Sequence, residues 1–338
     1  MPSSADNYLA RFRKVFDYVD AHLDETLNVE RLSEVAAFSR FHFHRQFTAL
    51  FGVGVYRYVQ LLRLKRAAYH LALRQDTQIA DIALATGYDG PEAFARAFRR
   101  NFGQSPSAFR KEPQWQTLHD IYQPLHDMRV GQMSEILRMG EVTIIEFKEI
   151  KVAALEHYGD PRLIGDCIRT FIDWGKQNKL QPRSGASFNL IYNNAADVGP
   201  EAFRMDLYYA SDMTISPNTQ GIVQKKIPNG RCAVLRHVGT DANLERAILH
   251  LYSHWFPHSS EEERDFPLYL QRLSYFPDVP EHEAVTDIFL PLNSQFCALD
   301  PTSMRQAELA KCLHRVRFQE SKRSPQWQLC GTLEQRGE

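Results

Sequence analysis

The chain has few cysteines, no long apolar run and almost no net charge. Its 338 residues include five widely separated cysteines and no CxxC pair, which argues against a disulfide framework or a zinc site and favours a reducing compartment. No apolar run approaches the roughly 18 residues that a membrane span needs, and the first residues lack a signal-peptide pattern. We therefore expect a cytoplasmic protein of two or three domains with no membrane association.

The net charge of −1 conceals an uneven distribution of charge along the chain. Residues 31–111 contain thirteen Lys or Arg against five Asp or Glu, a balance of +8, so the other residues carry about −9. A basic segment on a nearly neutral chain favours a nucleic-acid-binding domain joined to a second module. A solvated helical surface would have the same balance, so charge alone does not decide between the two interpretations.

A unit of two short helices occurs twice in the N-terminal third, over residues 29–52 and 79–103. Each copy contains phenylalanines spaced four apart, which places them on one helical face; they are Phe43, Phe47 and Phe51 in the first copy and Phe94, Phe98 and Phe102 in the second. Basic residues occupy the other faces of the second helix. A short helix, a tight turn and a second basic helix form the layout of a helix-turn-helix unit, whose second helix enters the DNA major groove.

Residues 55–73, between the two copies, predict one continuous helix without Pro or Gly. At about 1.5 Å per residue this connector is roughly 28 Å long, close to the length of about 34 Å of one DNA turn. A stiff connector of this length would place two recognition helices, the second helices of the two units, in successive major-groove segments. A monomer could then read both segments. Ser39 and Asp89 are predicted to cap the recognition helices.

The scaffold helix and turn IADIALATGY and the closing residues Gly103, Ser105, Pro106, Phe109 and Arg110 make residues 8–112 similar to the DNA-binding domain of the AraC family. The resemblance implies an all-α domain that binds double-stranded promoter DNA and contacts RNA polymerase, with no cofactor, metal or catalytic residue. Carried over by position, and with Arg99 added from the same basic surface, the DNA-binding candidates are Arg40, Phe41, His44, Arg45, Pro91, Glu92, Arg96 and Arg99. Arg45 and Arg96 can each bind a guanine through two hydrogen bonds, whereas Glu92 would repel phosphate.

Beyond residue 140 the periodicity changes to two, and a second duplication appears at a spacing near 80. VAALEHYG (residues 152–159) aligns with CAVLRHVG (residues 232–239), and Asp206 aligns with Asp287. Each copy predicts a strand, a helix and two strands, so two copies would form one antiparallel sheet with both helices on one face. Residues 113–139 are predicted to be a linker with some helix, and residues 294–338 a polar C-terminal extension.

Residues 140–293 resemble the GyrI-like effector-binding domain, an α+β fold of two β-α-β-β repeats. The resemblance implies a cleft on the pseudo-twofold axis that holds a small aromatic or lipophilic effector. The candidate effector-binding residues are Tyr192, Tyr208, Trp174, Trp255, Tyr269, Leu270 and Phe289. Leu270 occupies the position where family members that bind cations often carry a glutamate. Glu281 or Glu283 in the adjacent loop could replace that charge, or the effector is neutral or anionic.

The chain is thus interpreted as a multidomain transcription regulator that senses an effector and is not an enzyme. Two alternatives stay open for the C-terminal half: a protein-docking module without a ligand, and a hydrolase, which the missing carboxylate disfavours. The aromatic candidates could also be core residues, Trp174 and Trp255 above all because they lie on helices. His42 and His44 have no third partner that would complete a metal site.

Overall fold

The N-terminal part of the chain is helical. A computed structural model describes residues 4–132, 141–178, 180, 186–194 and 198–294. Within the first of these ranges the helices are α1 (Ser4–Ala21), α2 (Val29–Val35), α3 (Arg40–Phe51), α4 (Val55–Leu73), α5 (Ile79–Ala85), α6 (Pro91–Phe102), α7 (Pro106–Lys111) and α8 (Trp115–Gln132). The predicted duplication corresponds to α2–α3 and α5–α6, and the predicted connector is α4.

The phenylalanine stripes pack the recognition helices α3 and α6 into one helical core, which confirms their predicted role. Phe47 of α3 packs against Phe16 of α1, with 6.0 Å between ring centroids, and against Tyr58 of α4 at 5.7 Å. Phe98 of α6 packs against Phe109 of α7 at 5.3 Å. These five aromatic side chains are fully buried, so the opposite face of each recognition helix is left for solvent or a ligand.

The two recognition helices begin differently. Ser39 caps α3 as predicted, because its side chain accepts a hydrogen bond from the backbone N–H of His42. The predicted cap at Asp89 is wrong, since the residue before α6 is Gly90 and no side chain caps that end. Pro91 at the first helical position has no N–H, so one of the usual unsatisfied donors is missing there.

Helix α8 lies within the interval 113–139, for which the sequence predicted a linker with some helix. Trp115, Leu118, Tyr122 and Leu125 are buried in the same cluster as the phenylalanine stripes. Further along, Arg129 donates a 3.2 Å hydrogen bond to a buried aspartate of α1, Asp20. Helix α8 therefore packs as part of the helical core. Residues 133–139 lie outside the described residues, and the predicted domain boundaries stay predictions.

The remaining described chain forms one antiparallel sheet with two α-helices and five short 3₁₀ or π segments. The elements are β1 (Thr143–Phe147), β2 (Ile150–Tyr158), α9 (Ile164–Gln177), β3 (Ser187–Ile191), β4 (Arg204–Ala210), β5 (Val223–Ile227), β6 (Gly230–Val238), α10 (Asp241–His250), β7 (Leu268–Arg272) and β8 (Val285–Pro291). The strand order is β1-β6-β8-β7-β3-β4-β2-β5. The two predicted repeats are β2-α9-β3-β4 and β6-α10-β7-β8, which meet where β3 pairs with β7.

Each repeat is preceded by a short strand that the sequence did not predict, β1 for the first and β5 for the second. Strand β1 pairs with β6, and β5 pairs with β2, so each short strand joins the sheet beside the other repeat. Phe147 and Ile150 can be at most about 11 Å apart, because consecutive Cα atoms are 3.8 Å apart. Their strands nevertheless lie far apart in the strand order. The sheet therefore curls until its two ends approach each other.

Alternation along the strands separates a helix-covered face from a curled inner face. Ala153 and Leu155 of β2 cluster with Trp174 of α9, and the equivalent Ala233 and Leu235 of β6 cluster with α10. Both helices thus lie on one face, as predicted. The inner face carries aromatic side chains from both repeats. The described residues up to Asn293 form one compact unit, and the predicted extension 294–338 lies, apart from Ser294, outside the described residues.

Candidate functional site

Helix α3 presents its candidate DNA-binding residues on the face opposite its phenylalanines. Arg40, Phe41, His44 and Arg45 are all exposed, and together with two residues of α2 they line an open groove of about 640 Å³. Phe41 is 76 % exposed, so most of its ring is open to solvent or to a ligand. An exposed ring among basic residues can contact the methyl group of a thymine.

Arg40 differs from the other basic residues of α3 because an acid holds it. Its guanidinium donates a 2.8 Å hydrogen bond to Glu30 of α2 and lies 5.4 Å from the ring centroid of Phe41. The hydrogen bond from Arg40 holds the pKa of Glu30 below its ordinary value. In the free protein, therefore, an ionised carboxylate competes with phosphate for Arg40.

Helix α6 separates a buried apolar face from an exposed polar face more sharply than α3 does. Phe94, Phe98 and Phe102 are buried, while the candidate residues Pro91, Glu92, Arg96 and Arg99 are exposed. Arg96 is one turn from Glu92, so a cation and an anion share the surface that would meet DNA. The structure thus places all eight candidate DNA-binding residues on the exposed faces of α3 and α6.

Arg63 of α4 links the two helix-turn-helix units by hydrogen bonds to the segment after α1 and to the turn before α6. Its guanidinium donates hydrogen bonds to three backbone carbonyls: that of Leu23 at 2.8 Å, that of Gly87 at 3.2 Å and that of Glu25. Leu23 and Glu25 follow α1, which packs on the first unit, and Gly87 lies in the turn of the second. Because hydrogen bonds from a charged donor are strong, Arg63 fixes the orientation of one unit relative to the other.

The inner face of the sheet carries three of the predicted effector-binding residues. Tyr208 of β4, Tyr269 of β7 and Phe289 of β8 belong to one buried cluster. The rings of Tyr269 and Phe289 stack, with 4.8 Å between centroids and 9° between planes. Burial raises the pKa of Tyr208 to about 12, so its hydroxyl stays protonated at neutral pH. We call this surface the aromatic floor.

Phe147 and Phe188 complete the aromatic floor, and the sequence analysis missed both. The ring of Phe147 lies 5.5 Å from that of Tyr269 and 5.7 Å from that of Phe289, and Phe188 lies 6.0 Å from Tyr269. The floor is therefore filled by its own side chains. Alternation in SFNLI and TIIEF could have suggested these residues, but β1 was not predicted to be a strand.

Three other candidates lie on the helix-covered face. Trp174 of α9 is buried, with Phe171 stacked 6.1 Å away, and Trp255 packs against the α10 cluster. Leu270 is 2 % exposed within that same α10 cluster. The expectation that Leu270 faces the cleft is therefore wrong, because residue 270 alternates with Tyr269 and points to the other side of the strand. A carboxylate at this position would meet apolar core.

The two loop acids considered as substitutes for a carboxylate at position 270 do not serve the aromatic floor. Glu281 forms a 2.6 Å ion pair with Lys65 of α4, and Glu283 lies 3.5 Å from its neighbour His282. Both belong to residues 273–284, between β7 and β8, which we call the β7–β8 loop. This loop contacts the helical core instead.

The β7–β8 loop docks on the connector α4 and on Arg74, the residue that follows it. Besides the Lys65–Glu281 pair, Arg74 pairs with Asp278, and the ring of Phe276 packs edge-on against Tyr69 of α4 at 5.1 Å. The Lys65 and Glu281 side chains are 26 % and 17 % exposed, so solvent screens this pair less than a surface pair. A loop from the sheet is thus held directly on the helix that joins the two helix-turn-helix units.

Tyr192, the remaining candidate, lies at the end of β3 beside carboxylates. Its hydroxyl donates a 3.1 Å hydrogen bond to Asp206 of β4, which is fully buried. Asp206 also pairs with Arg204 and Lys225. In the second repeat the equivalent Asp287 pairs with Arg236 through two hydrogen bonds of 2.7 and 2.8 Å. Negative charge is therefore present at the edge of the floor, on β4 and β8 and not on β7.

The described part of the chain contains neither a cluster of metal ligands nor a membrane-spanning helix. There, no group of three or more His, Cys, Asp or Glu side chains is placed to hold a metal ion; His42 stacks on Phe38. Over the same residues, no helix combines the length and apolar character needed to cross a membrane.

Known proteins resemble both halves of the chain. Residues 140–293 match the family model of the GyrI-like small molecule binding domain, and residues 32–112 match that of a helix-turn-helix domain. The probable transcriptional regulator YgiV of Escherichia coli (strain K12) is 32 % identical over 153 residues, which are 45 % of this chain and 96 % of YgiV.

Two other relatives match a smaller share of their own length. The right origin-binding protein of Escherichia coli (strain K12) is 31 % identical over 136 residues, covering 40 % of this chain and 42 % of that protein. The HTH-type transcriptional regulator YbfP of Bacillus subtilis (strain 168) is 38 % identical over 103 residues, covering 30 % and 35 %. Taken with the geometry of α3 and α6, these matches show that the chain is a DNA-binding regulator and belongs to the AraC-type helix-turn-helix transcriptional regulators that carry a GyrI-like domain.

Proposed function

We propose that the chain binds promoter DNA through α3 and α6 and regulates transcription in response to a small aromatic or lipophilic effector. The observation that carries the proposal is the presence, in one compact unit, of two exposed recognition helices and an aromatic sheet face. Arg45 and Arg96 would read guanines, and the other exposed cations would contact phosphates. Tyr208, Tyr269 and Phe289 would contact the effector.

The β7–β8 loop offers a physical route from the effector to the DNA. Tyr269 on β7 and Phe289 on β8 stack on each other, and the loop between these strands is docked on α4. An effector that separates the two rings would displace the loop and, with it, the helix that sets the two recognition helices. An effector changes DNA affinity only if it binds the two arrangements unequally.

The test measures affinity for a cognate duplex by fluorescence anisotropy, with and without an effector identified by calorimetry. We expect an effector to change DNA affinity by about fivefold or more, the usual scale of coupling between sites. Tyr269→Ala should lose effector binding. Lys65→Gln, which breaks the pair with Glu281, should bind the effector and respond less. An effector that binds native protein without changing DNA affinity would contradict the regulatory part of the proposal.

A protein-docking module is the second candidate for the sheet domain. The observation that favours it is the packing of the aromatic floor, where Tyr269 is 0 % and Phe289 4 % exposed, while Ile144 and Ile145 of β1 are 44 % and 39 % exposed. Fluorescence of Trp115 distinguishes the candidates, because its ring contacts Tyr69 on α4 at 6.1 Å. An effector that moves the β7–β8 loop should alter this emission, and small molecules should have no effect on a docking module.

Contact with RNA polymerase, a cytoplasmic location and the absence of catalysis belong to the same proposal. A hydrolase needs a carboxylate free to activate water, whereas Glu156 and Asp206 at the edge of the floor are both paired with Lys225. Transcription in vitro from a promoter that contains the selected site, with purified polymerase and native or Arg96→Ala protein, tests the polymerase step.

A further inference from the structure

Arg264, four residues before β7, places its guanidinium at one margin of the aromatic floor. Its guanidinium carbon lies 5.7 Å from the ring centroid of Phe266, which in turn lies 6.2 Å from that of Tyr269. Burial raises the pKa of the Cys232 thiol, and a hydrogen bond with Tyr269 and the charge of Arg264 oppose that rise. Since Cys232 and Tyr269 belong to the buried cluster of the floor, the positive charge of Arg264 acts on the floor itself.

A glycine makes room for this guanidinium. Gly230, the first residue of β6, lies on the same face of the strand as Cys232. A Cβ at position 230 would overlap Nη1 of Arg264. In the first repeat the equivalent residue is Ile150, whose side chain packs against the cluster of the floor. The second repeat therefore has a cation where the first has an aliphatic side chain.

Two of the three guanidinium nitrogens of Arg264 are buried without a hydrogen-bond partner. Nη1 donates a 2.7 Å hydrogen bond to the carbonyl of Asn229, whereas Nε and Nη2 are buried and have no acceptor among the described residues. Arg264 stands in the acidic run EEERD, but no ion pair within the described residues includes it, and Glu261 pairs with Arg231 instead. A buried charged donor without an acceptor is unfavourable, so an acceptor supplied by a ligand would stabilise this edge of Arg264.

The unpartnered edge is the one with which other arginines of this protein hold carboxylates. Nε and Nη2 of Arg236 donate to the two oxygens of Asp287 at 2.7 and 2.8 Å. The same two atoms of Arg204 donate to the two oxygens of Asp206 at 3.2 Å each. Two parallel N–H groups match the spacing of the two oxygens of a carboxylate. Arg264 therefore presents a fork that fits a carboxylate and holds none among the described residues.

We propose that Arg264 binds the carboxylate of an aromatic acid whose ring lies against the aromatic floor. The acid would accept hydrogen bonds from Nε and Nη2, and its ring would contact Phe266 and Tyr269. The carboxylates at the other margin, Asp206 and Asp287, are already paired with basic side chains, so the unpaired charge beside the floor is positive and favours an anion. The proposal names the charge of the effector and rests on the proposed function for the use of the floor as its site.

The margin beside Arg264 is open to a ligand. Phe147 pairs with Gly230 across β1 and β6, and both Phe147 and Phe266 are only half-buried. Ile145, two residues before Phe147 and on the same strand face, is 39 % exposed. An aromatic acid would therefore enter beside these side chains and not through the fully buried part of the floor.

The test is calorimetric titration of the full chain, without DNA, using 2-naphthoate as the acid and 2-naphthamide as its neutral counterpart. We expect native protein to bind 2-naphthoate at least about tenfold more tightly than the amide, because only the acid completes a charge-assisted fork with Arg264. Arg264→Gln should abolish this preference while its affinity for 2-naphthamide stays within about twofold of native. Failure of 2-naphthoate to bind native protein, equal binding of the two compounds, or undiminished binding of the acid by Arg264→Gln would each overturn the proposal.

A second variant moves the guanidinium without changing the charge. In Gly230→Ala the new Cβ takes the place of Nη1, so the preference for 2-naphthoate should fall as it does in Arg264→Gln. Gly221→Ala is the matched control, because Gly221 also has a positive φ, 76° against 144° for Gly230, but its Cβ would meet no described atom within 4 Å. The control should keep the native preference, and an equal loss in both glycine variants would contradict the proposal.

Arg264→Lys replaces the glutamine variant if that one does not fold. It keeps the charge and lacks the fork, so it should bind 2-naphthoate less tightly than native protein does; native affinity in this variant would overturn the assignment of the fork. These outcomes are separable from those of the proposed function. If both compounds bind equally and Tyr269→Ala abolishes both, the floor binds aromatic molecules and only the role of Arg264 fails. If 2-naphthoate binds through Arg264 and leaves DNA affinity unchanged, the acid site stands and the regulatory proposal fails.

Discussion

The turns of the two helix-turn-helix units have the same backbone conformation with different residues. Ala37 adopts a φ of 53° in the first turn, and Gly87 adopts 75° at the equivalent position of the second. Each carbonyl accepts a 3.2 Å hydrogen bond from an arginine of the preceding long helix, Arg11 of α1 for Ala37 and Arg63 of α4 for Gly87. The equivalence therefore extends over three helices in each unit, α1–α3 and α4–α6. Helix α4 also contacts the first unit, because Arg63 donates hydrogen bonds to the carbonyls of Leu23 and Glu25.

The exposed surfaces of the two units have diverged. In the first unit Glu30 holds Arg40, whereas Ala80 occupies the position that corresponds to Glu30 in the second. Helix α3 exposes Phe41 at 76 %, and α6 instead begins with Pro91 and Glu92. The duplication preserved the residues that pack the helices and fix the turns, together with the aligned pair Arg45 and Arg96, while the other side chains that would meet DNA changed. We expect the two halves of the binding site to differ in sequence.

The strongest test of equivalence is in the core. Phe47 and Phe98 occupy equivalent positions and are both fully buried, so Phe47→Ala and Phe98→Ala should each lower the free energy of unfolding by about 3–5 kcal/mol. Phe41→Ala, on the exposed face, should change it by less than about 0.5 kcal/mol. Urea denaturation followed by circular dichroism measures all three. A cost below about 1 kcal/mol for only one of the buried pair would show that the units are not equivalent.

The turns should respond in opposite directions to the exchange of their residues. Gly87→Ala should cost about 1–2 kcal/mol, because a left-handed residue gains a Cβ, and that Cβ would also lie 2.7 Å from the guanidinium carbon of Arg63. Ala37→Gly should stabilise by about 0.5–1 kcal/mol, the steric relief less the added chain entropy. Thermal and urea unfolding measure both. If Gly87→Ala leaves the free energy of unfolding unchanged, Arg63 does not pack against this turn.

The smallest expected effect concerns the acid that only the first unit carries. Glu30→Gln should release Arg40, increase affinity for DNA roughly twofold at low salt and steepen the salt dependence by about one counterion. Asp81→Asn, in the first turn of α5, is the control and should have a weaker effect because Asp81 lies in the unit without an Arg40 equivalent. Anisotropy titrations between about 50 and 200 mM salt make the comparison. An unchanged salt slope would mean that Arg40 does not contact phosphate.

Sequence patterns predicted the repeated parts of this fold well. Periodicity gave the bounds of α4 and the packing of Phe47 and Phe98, because buried positions must recur at the helical spacing. The prolines of residues 113–139 suggested a linker, yet α8 continues past Pro124 and buries Tyr122 in the helical core. A fragment that ends at residue 113 would lose this packing, so an independent DNA-binding fragment should extend to residue 132.

The candidate effector site was harder to predict than the recognition helices. Strand alternation tells which residues share a face of the sheet. Leu270 was assigned to the cleft from the place of the glutamate in the family motif, although Tyr269, its neighbour on the same strand, was assigned there too and adjacent strand residues point to opposite faces. Arg204 of β4 contacts the rings of Tyr158 of β2 and of Tyr192, the residue after β3, and no local pattern reports contacts among three separate segments. The β7–β8 loop contacts α4 across more than 200 residues of sequence, which no periodicity can show.

We expect this single chain to read DNA with two different recognition helices. In vitro selection from random duplexes, followed by sequencing, tests it directly with native protein, Arg45→Ala and Arg96→Ala. We predict two unlike sequence blocks about 10 base pairs apart; Arg45→Ala should lose preference, by about 1–3 kcal/mol, within one block and Arg96→Ala within the other. A single block, or loss of the same block in both variants, would contradict the claim.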